Sequence, residues 1–413
     1  MKPAAAIVAI LLFAHLSTAQ TASPGTCSQT DLNHSADQVQ STRKRLLELP
    51  IGDGAQTDVS PAAKKEIASM KEALGAFIAD YVQCVPLQPN VAKIQGQLSA
   101  LSHTFQMPSG SIAKEDVPAD LGKFGFELWF ETKVFENPPL LGITAHFSIE
   151  CGHDTVLFLF APSGGLWKEV LRWRKEPYTR VDGGTMAFDY GVSPTDGDGN
   201  WFLVTHDIAP WCSSTWSGIR YSVLRPTADA LHPEILFSAD DFMWWGNEDY
   251  GTLTVQKDAF DLRFHSASLD TGVHNRVFIR HFSVIGDEVR RTQPVAVSPR
   301  DFVDEWIVSP WEEAAQWSST SSLPLLRKSH AQWSRLDESE NTLLEYYSMR
   351  RCSDAQDHYQ VEIGEATGPK FQTSRSFYFH VLGSGAYTML RVSDKPDGRC
   401  IGPNLLDENH EVR

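Results

Sequence analysis

The sequence predicts a multidomain fold dominated by β-structure: an N-terminal α-helical bundle, a central all-β antiparallel domain (sandwich, barrel or small propeller) and a small C-terminal α+β domain. Three observations carry this expectation. Apolar residues recur at helical spacing through the first hundred positions. Beyond residue 120 that texture gives way to short β-branched and aromatic runs separated by Gly and Asp turns. Six cysteines, at 27, 84, 151, 212, 352 and 400, fall two by two into these distinct stretches. With 413 residues the chain also exceeds what one hydrophobic core usually serves.

In order along the chain, residues 1–19 have the layout of a signal peptide: Lys2 supplies a charge, Ala4 to Leu16 an apolar run, and Ser17 and Ala19 the small residues before a cleavage point. The run is about 13 residues, against roughly 20 for a membrane-spanning helix, so cleavage is expected rather than anchoring. No later segment reaches spanning length, so no transmembrane segment is expected after cleavage.

Residues 20–107 form the expected bundle. Val39, Leu46, Leu47 and Leu49 lie near helical spacing and Pro50 ends the run. Ser60-Pro61 opens a second helix as N-cap and first helical residue, followed by Ile67, Met70, Leu74, Phe77, Ile78 and Tyr81 on one face. Val91, Ile94, Leu98 and Leu101 mark a third helix. Residues 108–120, rich in Pro, Gly and Ser, read as a linker.

Residues 121–297 form the expected all-β domain. Strands are predicted at 126–135, 143–149, 156–161, 167–173, 201–208, 218–224, 252–255, 260–265 and 277–285, with turns at Ser163-Gly164-Gly165, Asp182-Gly183-Gly184, 196–200 and Gly286-Asp287. Ile219-Arg220-Tyr221-Ser222-Val223 is echoed, with one insertion, by Ile279-Arg280-His281-Phe282-Ser283-Val284. A four- or five-bladed propeller would just fit this span, beside the sandwich and open-barrel alternatives. Residues 298–413 begin with a helix capped by Ser298-Pro299, carrying Phe302, Trp306 and Trp311, and Ser318 to Ser322 read as a short linker. Strands follow at 343–349, 359–363, 376–382 and 387–392, the last pair joined by a turn at Gly383-Ser384-Gly385.

The paired distribution of cysteines predicts the disulfides Cys27–Cys84, Cys151–Cys212 and Cys352–Cys400. Each closes a loop that the chain-entropy model values at about 4 kcal/mol. No Cys-x-x-Cys pair occurs, which disfavours zinc ribbons and thioredoxin-like chemistry. The disulfides and leader together predict a secreted or periplasmic location. The formal charge of −16 makes nucleic acid a poor partner.

Candidate sites are sparse. Asp196, Asp198 and Asn200 alternate with glycines and resemble calcium-binding loops, with Asp207 where an EF-hand places its last acid. Trp201 stands where such a loop needs Gly, so a β-hairpin turn is the expected reading, and no cofactor beyond a possible calcium is expected. Eight of the twelve Trp lie between Trp129 and Trp245. Trp216, Trp244 and Trp245 are the candidate binding residues, because exposed indole faces stack on sugar rings or apolar partner surfaces. Asp240, Asp241, Glu248 and Asp249 could supply a carboxylate pair for glycoside hydrolysis. The pairs His153-Asp154 and His206-Asp207 lack any nucleophile or metalloprotease motif beside them, and phosphate-binding and dinucleotide fingerprints are absent. No catalytic residue is therefore assigned. The expectation is an exported, disulfide-stabilised, non-catalytic binding or scaffolding protein of the cell envelope, with a saccharide or an envelope protein as partner; a carbohydrate-active hydrolase using loop carboxylates near Asp240–Asp249 is the alternative.

Overall fold

The computed structural model describes residues 27–50, 58–102, 123–175, 184–209, 216–244, 251–270, 276–337, 342–367 and 372–413. Its strands form four antiparallel sheets, each a meander of four strands consecutive in sequence. Sheet 1 comprises β1 (Leu128–Glu136), β2 (Pro139–Ser148), β3 (His153–Ser163) and β4 (Leu166–Arg174). Sheet 2 comprises β5 (Ala187–Val192), β6 (Leu203–Ile208), β7 (Trp216–Arg225) and β8 (Glu234–Trp244). Sheet 3 comprises β9 (Thr252–Val255), β10 (Ala259–Ser266), β11 (Arg276–Ile285) and β12 (Glu288–Arg291). Sheet 4 comprises β13 (Thr342–Arg351), β14 (His358–Thr367), β15 (Gln372–Ser384) and β16 (Ala386–Ser393). Helices α1 (Gln29–Leu47), α2 (Pro61–Val82) and α3 (Val91–Leu98) precede sheet 1, and α4 (Pro299–Val308), α5 (Trp311–Ala314) and α6 (Leu323–Asp337) precede sheet 4.

The expected strands all form, and β5, β8 and β12 are additional. Their patterns are weak for physical reasons: β8 buries only Met243 fully, and β12 is the charged tetrapeptide Glu288-Val289-Arg290-Arg291. Among the described residues no sheet closes into a barrel, and three meanders, rather than four or five blades, lie between residues 128 and 291. The echo between Ile219-Arg220 and Ile279-Arg280 falls on β7 and β11, the third strands of two successive meanders. At Ser163-Gly164-Gly165 both glycines have positive φ, +60° and +85°, the conformation that a tight hairpin between β3 and β4 requires.

The three N-terminal helices form as expected, with Ser60 capping α2 through a 3.1 Å bond from the Ala63 N–H. They do not make a core of their own. Val39, Leu46, Met70, Leu74, Phe77, Ile94 and Leu98 share one cluster with Leu128, Phe130, Ile143, Phe147 and Phe158 of sheet 1. Three amphipathic helices bury more apolar surface on a sheet than they can among themselves, so the expected separate bundle is a cover for sheet 1. Sheet 1 presents its other face to sheet 2 through Leu157, Leu159 and Leu171 against Tyr190, Val192, Leu203 and Leu224. Sheet 2 in turn packs Val204, Ile219, Tyr221 and Val223 against Phe260, Leu262, Phe264 and Phe282 of sheet 3. Strands buried on both faces lose their polar alternation, and every residue of β6 is buried. Sheet 3 has an exposed outer face, and β10 alternates accordingly.

Around sheet 4, Phe302, Val303, Trp306 and Ile307 of α4, with Leu326 and Trp333 of α6, cover Val361, Ile363, Phe379, Val381 and Met389. Helix α6 was not expected; its buried residues Leu326, His330 and Trp333 recur at four and three positions. Within the Ser318–Ser322 stretch, Thr320–Ser322 form a short turn of 3-10 helix leading into it. Disulfides Cys27–Cys84 and Cys352–Cys400 are present. Cys151 is disulfide-bonded, while its expected partner Cys212 lies outside the described residues, as do the expected leader and linker. Among the described residues no helix is long and apolar enough to cross a membrane.

Candidate functional site

A concavity of about 860 Å³ opens where sheets 2 and 3 meet the α4–α5 corner. Strand β11 builds its floor. Arg276, Phe278, Arg280 and Phe282 alternate along the chain, and the two-residue period of a strand directs all four to one face. The guanidinium carbons of Arg276 and Arg280 lie 4.0 Å and 5.0 Å from the centre of the Phe278 ring. Phe237 and Phe242 of β8 form the facing wall, and Phe242 is 73% exposed.

Beneath this lining lies a buried charge network. Glu305 of α4, fully buried, accepts from Arg276, from Arg280 at 3.0 Å and from Arg291. Its neighbour Asp304 accepts from Arg276 at 3.0 Å, from the Ser268 hydroxyl at 2.6 Å and from the Tyr346 hydroxyl. Asp241 of β8 receives Arg280 through Nε and a terminal nitrogen at 2.8 Å and 2.6 Å, and the Tyr221 hydroxyl at 2.9 Å. Arg291 also reaches Glu313 at 3.2 Å. Burial would lower the pKa of Arg280, but the hydrogen bonds and charge of Asp241 outweigh it and hold it above the usual value. Burial, then Arg280, brings Arg291 down to about 10, still protonated at neutral pH. Burial and then Asp241 push the Tyr221 hydroxyl up, so it stays a donor.

Asp241, Asp304, Glu305 and Glu313 each face at least one arginine. The cleft wall sets three arginines, each paired with carboxylates, beside aromatic rings. The expected carboxylate loop needs correction, because Asp240 and Asp241 belong to strand β8 and pair with Arg220 and Ile219 across to β7. Glu248 and Asp249 lie outside the described residues.

The expected aromatic site is only partly brought together. Trp216 and Trp244 are cross-strand partners at the end of sheet 2, Trp216 39% exposed and Trp244 half-buried, and neither lines the cleft. Trp245 lies outside the described residues. Sequence reasoning missed Arg276, Arg280, Arg291 and Glu305; the readable signal was the Arg-x-Phe-x-Arg-x-Phe alternation beginning at Arg276.

The residues Asp196, Asp198 and Asn200 occupy the β5–β6 connection. The Asp196 carboxylate accepts the backbone N–H groups of Asp198 at 2.9 Å and Asn200 at 2.8 Å, and the Asn200 amide at 3.0 Å. These bonds lower its pKa, and they are those of a side chain closing a turn. Asp207 does not serve that loop; it pairs with Lys175 at 2.6 Å and with Arg220.

A second polar region lies between sheets 1 and 2. His146 and His153 are buried with ring centres 5.1 Å apart, and Trp129 stacks on His146 at 4.8 Å. His146 Nδ1 is 3.0 Å from the Thr155 hydroxyl. Lys71 of α2 pairs with the buried Asp154 at 3.0 Å and donates to the Lys175 carbonyl at 2.6 Å. Burial and then His153 drive His146 well below the usual imidazole value, and burial lowers His153 to about 4. The pairs His153-Asp154 and His206-Asp207 thus lie on β3 and β6 of facing sheets. Comparison with protein-family models and with curated protein sequences finds no match.

Proposed function

We propose that this chain is an exported, non-catalytic binding protein whose ligand site is the cleft between sheets 2 and 3 and the α4–α5 corner. The observation that carries the reading is the pairing of every arginine of the network with a carboxylate beneath an aromatic lining. A wall whose arginines are already paired gains little from an anionic ligand. It offers an exposed ring at Phe242 and polar edges at Asp240, Asp241 and Arg291, a combination suited to an uncharged polyhydroxyl ligand such as a saccharide. Disulfides support the secreted or periplasmic placement, since they persist in oxidising compartments.

The test is a glycan screen with the full chain, followed by titration of any hit against Phe242→Ala. Removing one stacking ring from the rim should weaken binding about tenfold. Undiminished affinity in Phe242→Ala would move the site elsewhere, and turnover of a bound polysaccharide would overturn the non-catalytic reading.

A further inference from the structure

A third cluster, in sheet 4, is used by neither the cleft nor the histidine region. Cys352 directly follows β13, His358 opens β14, His380 lies within β15, and Cys400 belongs to the C-terminal segment. The sheet register sets His358 opposite Leu382 and Gln360 opposite His380, so the two histidines are diagonal neighbours on one face. The Cys352 N–H donates to the His358 carbonyl at 2.8 Å, which brings the sulfur to the same place. All four residues are buried, at 4%, 5%, 0% and 3% exposure in chain order.

The sulfur of Cys352 and one ring nitrogen each from His358 and His380 lie within 4.8 Å of one another, and so do donor atoms of His380, Asp397 and Cys400. His358 Nε2 and His380 Nδ1 are 3.2 Å apart. Two nitrogens on one tetrahedral zinc ion, with bonds of 2.0–2.1 Å, stand about 3.3 Å apart. His358 turns its other nitrogen to the Asp354 carboxylate at 2.6 Å, the partner that orients a metal-bound imidazole. His380 is fully buried, and its Nε2 makes no hydrogen bond to any described residue. Arg399 and Arg391 are matched by Asp354 and Asp397, so no uncompensated positive charge faces the cluster.

We propose that Cys352, His358, His380 and Cys400 form a Cys2His2 site for zinc or a comparable thiophilic divalent cation, available whenever the Cys352–Cys400 disulfide is open. The cluster has two alternative closures. Under oxidation the sulfurs bond to each other. A dithiol reductant delivers two electrons and two protons to that bond, is itself oxidised to a disulfide, and leaves two thiols. The cation then displaces both thiol protons to solvent and binds two thiolates and two neutral imidazoles. The site would hold sheet 4 together in newly made chains that have not yet reached an oxidant.

The experiment uses the full chain carrying Cys400→Ser, which frees the Cys352 thiol while leaving the other cysteines oxidised. Titration with Co²⁺ should give one equivalent bound, with a thiolate charge-transfer band and the intense visible bands of tetrahedral cobalt. Zn²⁺ should raise the Tm by several degrees, and a chelator should reverse the rise. Adding His380→Gln should remove the cobalt spectrum, and Asp354→Asn should weaken affinity about 10- to 100-fold. No uptake, or uptake unaffected by His380→Gln, overturns the proposal. Should Cys400→Ser fail to fold, wild-type chain reduced with a phosphine is alkylated with and without Zn²⁺ and mapped by mass spectrometry. Protection of Cys352 and Cys400 but not of Cys27 and Cys84 supports the site, and equal labelling overturns it.

Discussion

Sheet 2 separates two polar regions that solve the same problem differently. On its sheet 1 side, charges occur as the pair Lys175–Asp207, and the histidines beside it are kept neutral by burial. On its sheet 3 side, three arginines converge on Glu305 and the region opens into a cleft of about 860 Å³. An enclosed space between two sheets excludes water, so imidazole stays uncharged there. A corner where sheet meets helix leaves room, and the charged groups lock one another while aromatic rings remain accessible. The difference is one of enclosure: the first region is shut between two sheets, and the second opens at a corner.

The comparison can be broken most sharply at Glu305. Glu305→Gln removes the buried carboxylate that Arg276, Arg280 and Arg291 share. Loss of about 3–5 kcal/mol in denaturant unfolding is expected; a loss below 1 kcal/mol would mean that the network is not coupled through this residue. Next in size is a pH effect in the histidine region. His153 titrates near 4 when folded and near 6.5 when unfolded, so between those values the unfolded chain binds the extra proton. Its contribution is therefore present above pH 6.5 and lost as pH falls to 4, on the order of 3 kcal/mol. His153→Gln should flatten the stability profile across that window, and an unchanged slope would exclude His153 as its source.

Packing between sheets 1 and 2 comes third. A Cβ at Gly142 would stand 2.2 Å from the Tyr190 hydroxyl and 3.2 Å from Leu159. Gly142→Ala should cost about 1–3 kcal/mol, and Tyr190→Phe in the same chain should recover part of it by removing the clashing oxygen. The smallest effect is expected at the cleft rim. Phe242→Ala should change stability by less than about 0.5 kcal/mol, because the ring is already 73% exposed. A larger loss of Tm would show that the ring supports the fold instead of facing a ligand.

Much of the fold could be read from the chain, for reasons tied to particular residues. Ser60-Pro61 fixes the start of α2 because cap and φ restriction act locally, and Gly164-Gly165 fixes a hairpin for the same reason. The interior strands were legible because burial demands branched and aromatic residues in unbroken runs. Strand β8 was not, since Asp240 and Asp241 break its alternation, and they are tolerated only because Arg280 reaches Asp241 from the next sheet. The candidate site was legible in chemistry but not in place. Aromatic and acidic residues were expected near positions 240–249, yet the cleft draws on β11, β12 and α4–α5, up to 70 positions away.

By itself the sequence determined most of the sequential hairpins, the starts of α2 and α4 and two of the cysteine pairings, because each depends on short-range geometry and on composition within one stretch. Only the tertiary structure decided that the N-terminal helices cover sheet 1 and share its core. It also decided which acids meet which arginines, and that two histidines adjoin the Cys352–Cys400 bridge. Those relations depend on how whole faces stack, and the free energy of stacking is spread over many apolar contacts that no local pattern specifies.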